Sequence, residues 1–90
     1  MMGVKELQAS VSAMVMEERK KQDRKWGVQR HPHTKWLAIL VEEVGEVAEA
    51  MQKGMPSEKA TDAADLLTEL IQVAAVAQAM AEQVYEEMTE

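Results

Sequence analysis

Cysteine is absent from this sequence, which excludes disulfides and thiolate metal sites as sources of stability. Phenylalanine is absent too, and aromatic residues make up only 3% of the chain although 47% of it is hydrophobic. The core must therefore be aliphatic, built from Leu, Val, Ile, Met and Ala, which suits helix packing. No run of the sequence reads as strand. Long hydrophobic runs are missing: the longest, Trp36 to Val41, is far below the ~20 residues of a membrane-spanning helix. The N-terminal stretch MMGVKELQAS lacks the apolar centre of a signal peptide. A cytoplasmic protein without membrane partners is the expectation. Positive charge is absent over long stretches. Positions 60–90 hold no Lys, Arg or His, and seven of the ten Lys and Arg fall in residues 19–35. The net charge of −6 argues against general nucleic-acid binding.

What is present is helical periodicity. Ninety residues bound the chain to one small domain, residues 1–90. A chain of this length buries only about 60–65% of its unfolded surface, so much of its surface should be covered by another copy of itself. Val4, Leu7, Val11, Met14 and Val15 recur at three- and four-residue spacing and predict a helix over about 4–22. WGVQRHPHT, Trp26 to Thr34, has Gly and Pro without periodicity and reads as a loop. Thr34 is placed to cap a second helix whose Trp36, Leu37, Leu40, Val44, Val47 and Met51 face inward. Gly54 and Pro56 end it. A third helix starts at Ser57 or Thr61 and continues to about Met88. The expected architecture is all-α, three main helices in a bundle completed by oligomerisation.

Two of these helices break their own pattern. With Glu43 set at zero on the second helix, Trp36 falls near about +20°, Val47 near +40° and Ile39 near −40°. A carboxylate therefore sits inside an apolar stripe, with Glu46 at its edge and Glu42 and Glu49 further toward the polar side. The third helix repeats the exception. With Glu69 at zero, Met80, Val73 and Val76 lie within about 40°, and Asp65 and Gln72 lie near about −40° and −60°. If the two faces pack together, Glu43, Glu46, Asp65 and Glu69 converge and repel in a low dielectric. Raised pKa values with shared protons would relieve this. So would a divalent cation, for which hard oxygen ligands without thiolate suit Mg²⁺ or Mn²⁺. Basic partners are scarce, since the second helix offers only Lys35 and Lys53 near its ends. A di-iron bundle would want Glu-x-x-His on its helices, and the only histidines, His31 and His33, lie in the loop. Glu42, Glu49, Glu82, Glu86 and Glu87 read as solvated charge, and Trp36 as a core residue.

EEVGE (Glu42 to Glu46) followed after 22 residues by ELIQ (Glu69 to Gln72) resembles the signature of the MazG-like all-α nucleoside triphosphate pyrophosphohydrolases: Glu-Glu-x-x-Glu, a spacer, then Glu-x-x-Asp. RKKQDRKWGVQRHP (Arg19 to Pro32) and ELIQVAAVAQAM are similar to the short phage and mobile-element members. The resemblance covers about residues 18–82. It implies hydrolysis of a nucleoside or deoxynucleoside triphosphate to monophosphate and pyrophosphate, with Mg²⁺, or Mn²⁺ in its place, on the carboxylates. Carried over by position, Glu43, Glu46 and Glu69 match as metal ligands. Gln72 stands where the family has Asp; it offers a neutral oxygen but no charge, and Asp65 is the candidate to supply that charge. Glu42 or Glu46 would orient or deprotonate the attacking water. Lys21, Arg24 and Lys25 are candidates to meet the phosphates, Trp26 to stack on the base or to plug helices one and two, and Gln29 to read a base edge. The implied partners are a nucleoside triphosphate and the chain itself, as a homodimer or homotetramer. Competing readings are a non-catalytic nucleotide-binding protein and a helical interaction module with solvated acids.

Overall fold

The computed structural model describes residues 1–53 and 64–90. Among them there are three helices and no strand: α1 (Val4–Trp26), α2 (His33–Met51) and α3 (Leu66–Thr89). The expected ends Gly54 and Pro56, and the expected starts Ser57 and Thr61, lie outside the described residues.

The helix boundaries are set by backbone chemistry at three places. α1 runs one turn past the expected residue 22 and stops at Gly27, whose φ of 74° is a left-handed conformation that glycine adopts without steric cost. The Gly27 N–H bonds back to the Asp23 carbonyl at 2.9 Å, closing the helix end. α2 is not capped by Thr34. Pro32 precedes it, with φ already at −55°, and the Pro32 carbonyl accepts from the backbone N–H groups of Lys35 and Trp36 at 3.0 and 3.2 Å. α3 has a true side-chain cap: Asp65 Oδ1 accepts from the Thr68 N–H, and Thr68 Oγ1 donates to Asp65 Oδ2, both at 2.9 Å.

α3 is the central element. α1 and α2 each pack against it, and α1 and α2 make no close backbone approach to each other. α2 and α3 run antiparallel, so the start of α2 (Trp36) meets the end of α3 (Gln83). The core between them is small: Trp36, 4% exposed, with Val76 and Ala79, and with Ile39, Leu40 and Met80 packed on it. Several expected core residues are instead on the surface of the single chain, namely Val4, Leu7, Val11 and Met14 on α1 and Leu37, Val44 and Met51 on α2. The apolar arc of α2 is wider than the sector that α3 can cover.

Polar ties hold the three helices in place. Arg19, 6% exposed, donates Nε and Nη2 to the two oxygens of Glu82 at 3.1 and 2.7 Å, a bidentate tie from α1 to α3. Arg30 bonds Glu86 at 2.7 Å and His33 meets Glu87 at 3.0 Å. Glu82, Glu86 and Glu87 are therefore partnered rather than simply solvated. Gln83 fastens the α1–α2 loop. Its Oε1 accepts from the Trp36 indole N–H at 2.6 Å and from the His31 N–H at 3.0 Å, and its Nε2 donates to the His31 carbonyl at 2.7 Å. The His31 ring then stands edge-on to Trp36, with centroids 4.8 Å apart. Among the described residues, no helix is long and apolar enough to cross a membrane.

The knot at Gln83 yields a stability prediction. Gln83→Ala strands the buried Trp36 N–H, and an unsatisfied buried donor costs about 1–3 kcal/mol. The urea midpoint of Gln83→Ala is expected to fall by a matching amount at unchanged slope. An unchanged midpoint would mean that water replaces the knot without loss.

Candidate metal centre and adjoining cavity

Helical spacing puts Glu43 and Glu46 one turn apart on the face of α2 that meets α3. The antiparallel pairing brings Glu69, in the first turn of α3, to the same place. One carboxylate oxygen from each of the three lies within 4.8 Å of the others. Glu69 is 2% exposed. Its Oε1 accepts from the Ala64 N–H at 2.7 Å, while Lys53 Nζ donates to the Ala64 carbonyl at 3.1 Å. The end of α2 thus steadies the residue that orients Glu69. The other Glu69 oxygen, and Glu43 Oε2, are buried and accept no hydrogen bond.

Orphaned buried carboxylate oxygens are costly, and the electrostatics show it. Burial, and then the charges of Glu69, Glu42 and Glu18, push the Glu43 carboxyl above its usual range. Glu46 is pushed up to about 7, by burial first, then by the charges of its carboxylate neighbours Glu43 and Glu69. Among the described residues no Lys or Arg forms an ion pair with any of the three. Three hard oxygen donors with two unsatisfied atoms fit a divalent cation.

Asp65 does not join this cluster. It precedes the first turn of α3, where both its oxygens are taken up by Thr68, and those bonds hold its carboxyl below the usual range. Glu42 is exposed and reaches the cluster through its field alone. Gln72 lies one turn beyond Glu69 and lines an adjoining cavity together with Glu43.

That cavity, about 310 Å³, is the gap left because the backbones of α1 and α2 stay apart. Its volume is at the lower end of those that hold small molecules. α3 forms the floor with Val76 and Ala79, and α2 adds Trp36 and Ile39. The α1 wall is polar: Glu18, Arg19, Gln22 and Asp23 face inward, with Trp26 and Gln29 near the mouth. Arg19 is committed to other partners, since Nη1 also meets Gln22 at 3.0 Å and Asp23 at 3.2 Å. Trp26 is 57% exposed, so it is no plug between helices; the Lys25 ammonium sits 4.7 Å over its ring. Lys21 and Arg24 lie elsewhere, on a separate open groove with Met14, Glu17, Glu18 and Ile71.

Of the residues singled out from sequence, the structure brings together Glu43, Glu46 and Glu69, and sets Gln72, Trp26 and Gln29 along the neighbouring cavity. Sequence reasoning missed the α1 wall. The only available signal was that the apolar stripe of α1 turns polar on the same face after Val15, at Glu18, Arg19 and Gln22.

A family model of the MazG nucleotide pyrophosphohydrolase domain matches residues 29–90. No curated protein and no solved structure matches the chain. The matched span holds all of α2 and α3, with the three clustered glutamates, and leaves out α1. The chain belongs to the MazG nucleotide pyrophosphohydrolase family.

Proposed function

We propose that this protein hydrolyses nucleoside or deoxynucleoside triphosphates to the monophosphate and pyrophosphate with Mg²⁺, Mn²⁺ being able to replace it. The observation that carries this reading is the convergence of three carboxylates within 4.8 Å with two buried oxygens left unsatisfied, in a chain whose family is named for this activity. Glu43, Glu46 and Glu69 would hold the cation, with the Gln72 amide oxygen as a neutral donor. When bound, the ion offsets phosphate charge and makes water more acidic. Glu42, exposed beside the cluster, or Glu46 would accept a proton from the attacking water at a carboxylate oxygen. The water oxygen bonds to the α-phosphorus, and the α–β bridging oxygen leaves with pyrophosphate.

The remaining residues bind. Trp26 stacks on the base at the cavity mouth, Gln29 reads a base edge and Lys25 meets the phosphates. Lys21 and Arg24, outside the cavity, draw the anion in by their field. The apolar floor excludes water from beneath the nucleotide. A cytoplasmic setting, where Mg²⁺ and nucleoside triphosphates occur together, fits this reading. Gln72 at the Asp place favours one alternative, a protein that binds nucleotides without cleaving them.

Self-association completes the fold in this proposal. Leu37, Val41, Val44 and Met51 on α2, and Leu67, Leu70, Val84 and Met88 on α3, are exposed. By helical angle they fall on the side of the α2–α3 pair away from the cavity. A contiguous exposed apolar face marks an interaction surface, so a second copy is expected to cover it as a four-helix bundle. Light scattering at micromolar concentration should show a dimer or tetramer, and Val44→Glu combined with Leu70→Glu should shift it toward monomer. A wild-type monomer would refute this part.

Activity and stability provide two further tests. Pyrophosphate release from a panel of nucleotides should require Mg²⁺ or Mn²⁺. Even second-shell changes cost metal sites about 10–100-fold, so Glu69→Gln is expected to lower turnover by at least ~100-fold. Nucleotide binding without any pyrophosphate release would favour the non-catalytic alternative instead.

The pH dependence follows from Glu46. Its pKa in the fold, about 7, exceeds its ordinary value of 4.5, so the folded state holds a proton that the unfolded state gives up. This contribution is fully present below about pH 4.5 and is lost as pH rises through 7. Glu82, Glu86, Glu87 and Asp65, whose pKa values are lowered by their hydrogen bonds, act in the opposite sense and below that window. The metal-free melting temperature should therefore fall between pH 5 and pH 8. Added Mg²⁺ should raise it, and more at pH 8 than at pH 5, because binding favours the ionised native state. A flat metal-free profile with no response to Mg²⁺ would contradict the metal site.

A further inference from the structure

We propose that Glu18, on α1, is a fourth carboxylate for the cation of the glutamate cluster and makes up the charge that Gln72 lacks. This rests on the reading that Glu43, Glu46 and Glu69 bind a divalent cation.

Glu18 is an acid in an unusual place. Glu18 lies on the inner face of α1, half-buried, and lines the same cavity as Glu43 and Gln72. Among the described residues it has no hydrogen bond and no ion pair, although it stands in the most basic stretch of the chain. Its neighbour Arg19 is committed to Glu82, Gln22 and Asp23, and Lys20 pairs with Glu17. Lys21 and Arg24 border the other groove that Glu18 touches, and neither closes on it to ion-pair distance. A half-buried carboxylate whose field reaches a second partly buried carboxylate, with no cation at ion-pair distance among the described residues, is the arrangement that a bound cation resolves.

Two further observations point the same way. Glu69 is 2% exposed, and one of its oxygens is buried without a partner; so is Glu43 Oε2. The cluster is thus short of positive charge before Glu18 is counted, and the field of Glu18 reaches Glu43. The alternative donor of the missing charge, Asp65, is spent on the α3 cap. The position of Glu18 is also fixed. The Arg19–Glu82 clamp, one residue away, fastens this turn of α1 to α3. A hard divalent ion takes six or more oxygens, so three carboxylates and one amide leave room for another ligand; Glu18 stands outside the group whose oxygens lie within 4.8 Å of one another and would reach the ion through a water. α1 lies outside the span matched by the family model, so this ligand is carried by a part of the chain that the family pattern does not describe.

The experiment uses Mn²⁺ alone, without nucleotide, on the full chain, with binding followed by calorimetry and by the electron paramagnetic resonance of free Mn²⁺. Wild type is expected to bind, and Glu18→Gln to bind about 10–100-fold more weakly. Glu17→Gln, which removes the same charge from the exposed neighbour, is expected to leave affinity unchanged. Gln72→Asp placed in the Glu18→Gln chain should restore binding. Glu18→Gln is isosteric at a side chain without partners, and its metal-free melting curve, which should match or exceed wild type, checks that it folds. Equal affinity of wild type and Glu18→Gln would overturn the inference and leave the proposed function standing. So would an equal loss in Glu17→Gln, or no restoration by Gln72→Asp. Absence of Mn²⁺ binding by wild type would instead overturn the reading beneath it.

Discussion

Glu69 sets the constraint on which the rest of the structure depends. A carboxylate that is 2% exposed must be held by more than its own helix, because a buried charge is tolerated only with partners. One oxygen takes the Ala64 N–H, and Ala64 is itself tied to Lys53. The other oxygen is buried without a partner, and Glu43 and Glu46 each bring a carboxylate oxygen within 4.8 Å of one of the Glu69 oxygens. The start of α3, the end of α2 and the middle of α2 are all positioned around this side chain. At the opposite end of the α2–α3 pair, Gln83 satisfies the buried indole of Trp36 and the loop at His31. The pair is pinned by polar groups at both ends, with a small apolar core between them. Such a core stabilises little, so the Gln83 knot at one end and the bonds through Ala64 at the other weigh heavily in the pairing, while the carboxylates themselves repel.

α3 also carries a second obligation, toward α1. Glu82 lies away from the α2-facing side of the helix and receives the Arg19 fork. Because α3 serves both neighbours, α1 and α2 do not need to meet. The space between them is the cavity beside the carboxylate cluster. Direct packing of α1 on α2 would fill that space with apolar side chains, which is why the inner face of α1 turns polar at Glu18, Arg19, Gln22 and Asp23 instead of continuing the stripe of Val11 and Val15. The ion pair Arg19–Glu82 holds the wall at its distance.

The parts of this arrangement that were legible in the sequence are those that break a period. Glu43 and Glu69 stand inside apolar stripes, and an acid in a stripe is visible from spacing alone. Asp65 fits the same angular pattern, but the pattern holds only inside a helix, and Asp65 is the residue before it begins; a cap obeys hydrogen-bond geometry instead of rotation. Thr34 as a cap fails for a related reason, since the fixed φ of Pro32 starts α2 before a side chain is needed. Arg19 and Glu82 are 63 positions apart, and a single long-range pair leaves no periodic trace. Glu82, Glu86 and Glu87 look solvated on a wheel because their partners Arg19, Arg30 and His33 sit on two other helices and a loop.

The exposed residues of α2 show what a single chain cannot resolve by itself. Leu37, Val41 and Val44 are as apolar as the core residues Trp36 and Val47, and they differ only in which way they point. Gly45 lies among them with nothing within 4 Å of where a Cβ would be. A glycine in the middle of a helix costs about 1 kcal/mol relative to alanine, and none of the described residues approaches closely enough to require it. The pattern is coherent if the covering surface belongs to a second copy, whose helix could come near at Gly45 and its neighbours Ala48 and Val41. The cation and the second copy would then act on opposite faces of the same α2–α3 pair. One face gathers negative charge that needs neutralising, and the other gathers apolar area that needs covering. Each would fix the rotation of α2 about its axis, and that rotation decides whether Glu43 and Glu46 point at Glu69. Metal affinity and self-association are on this view two readouts of one helix orientation.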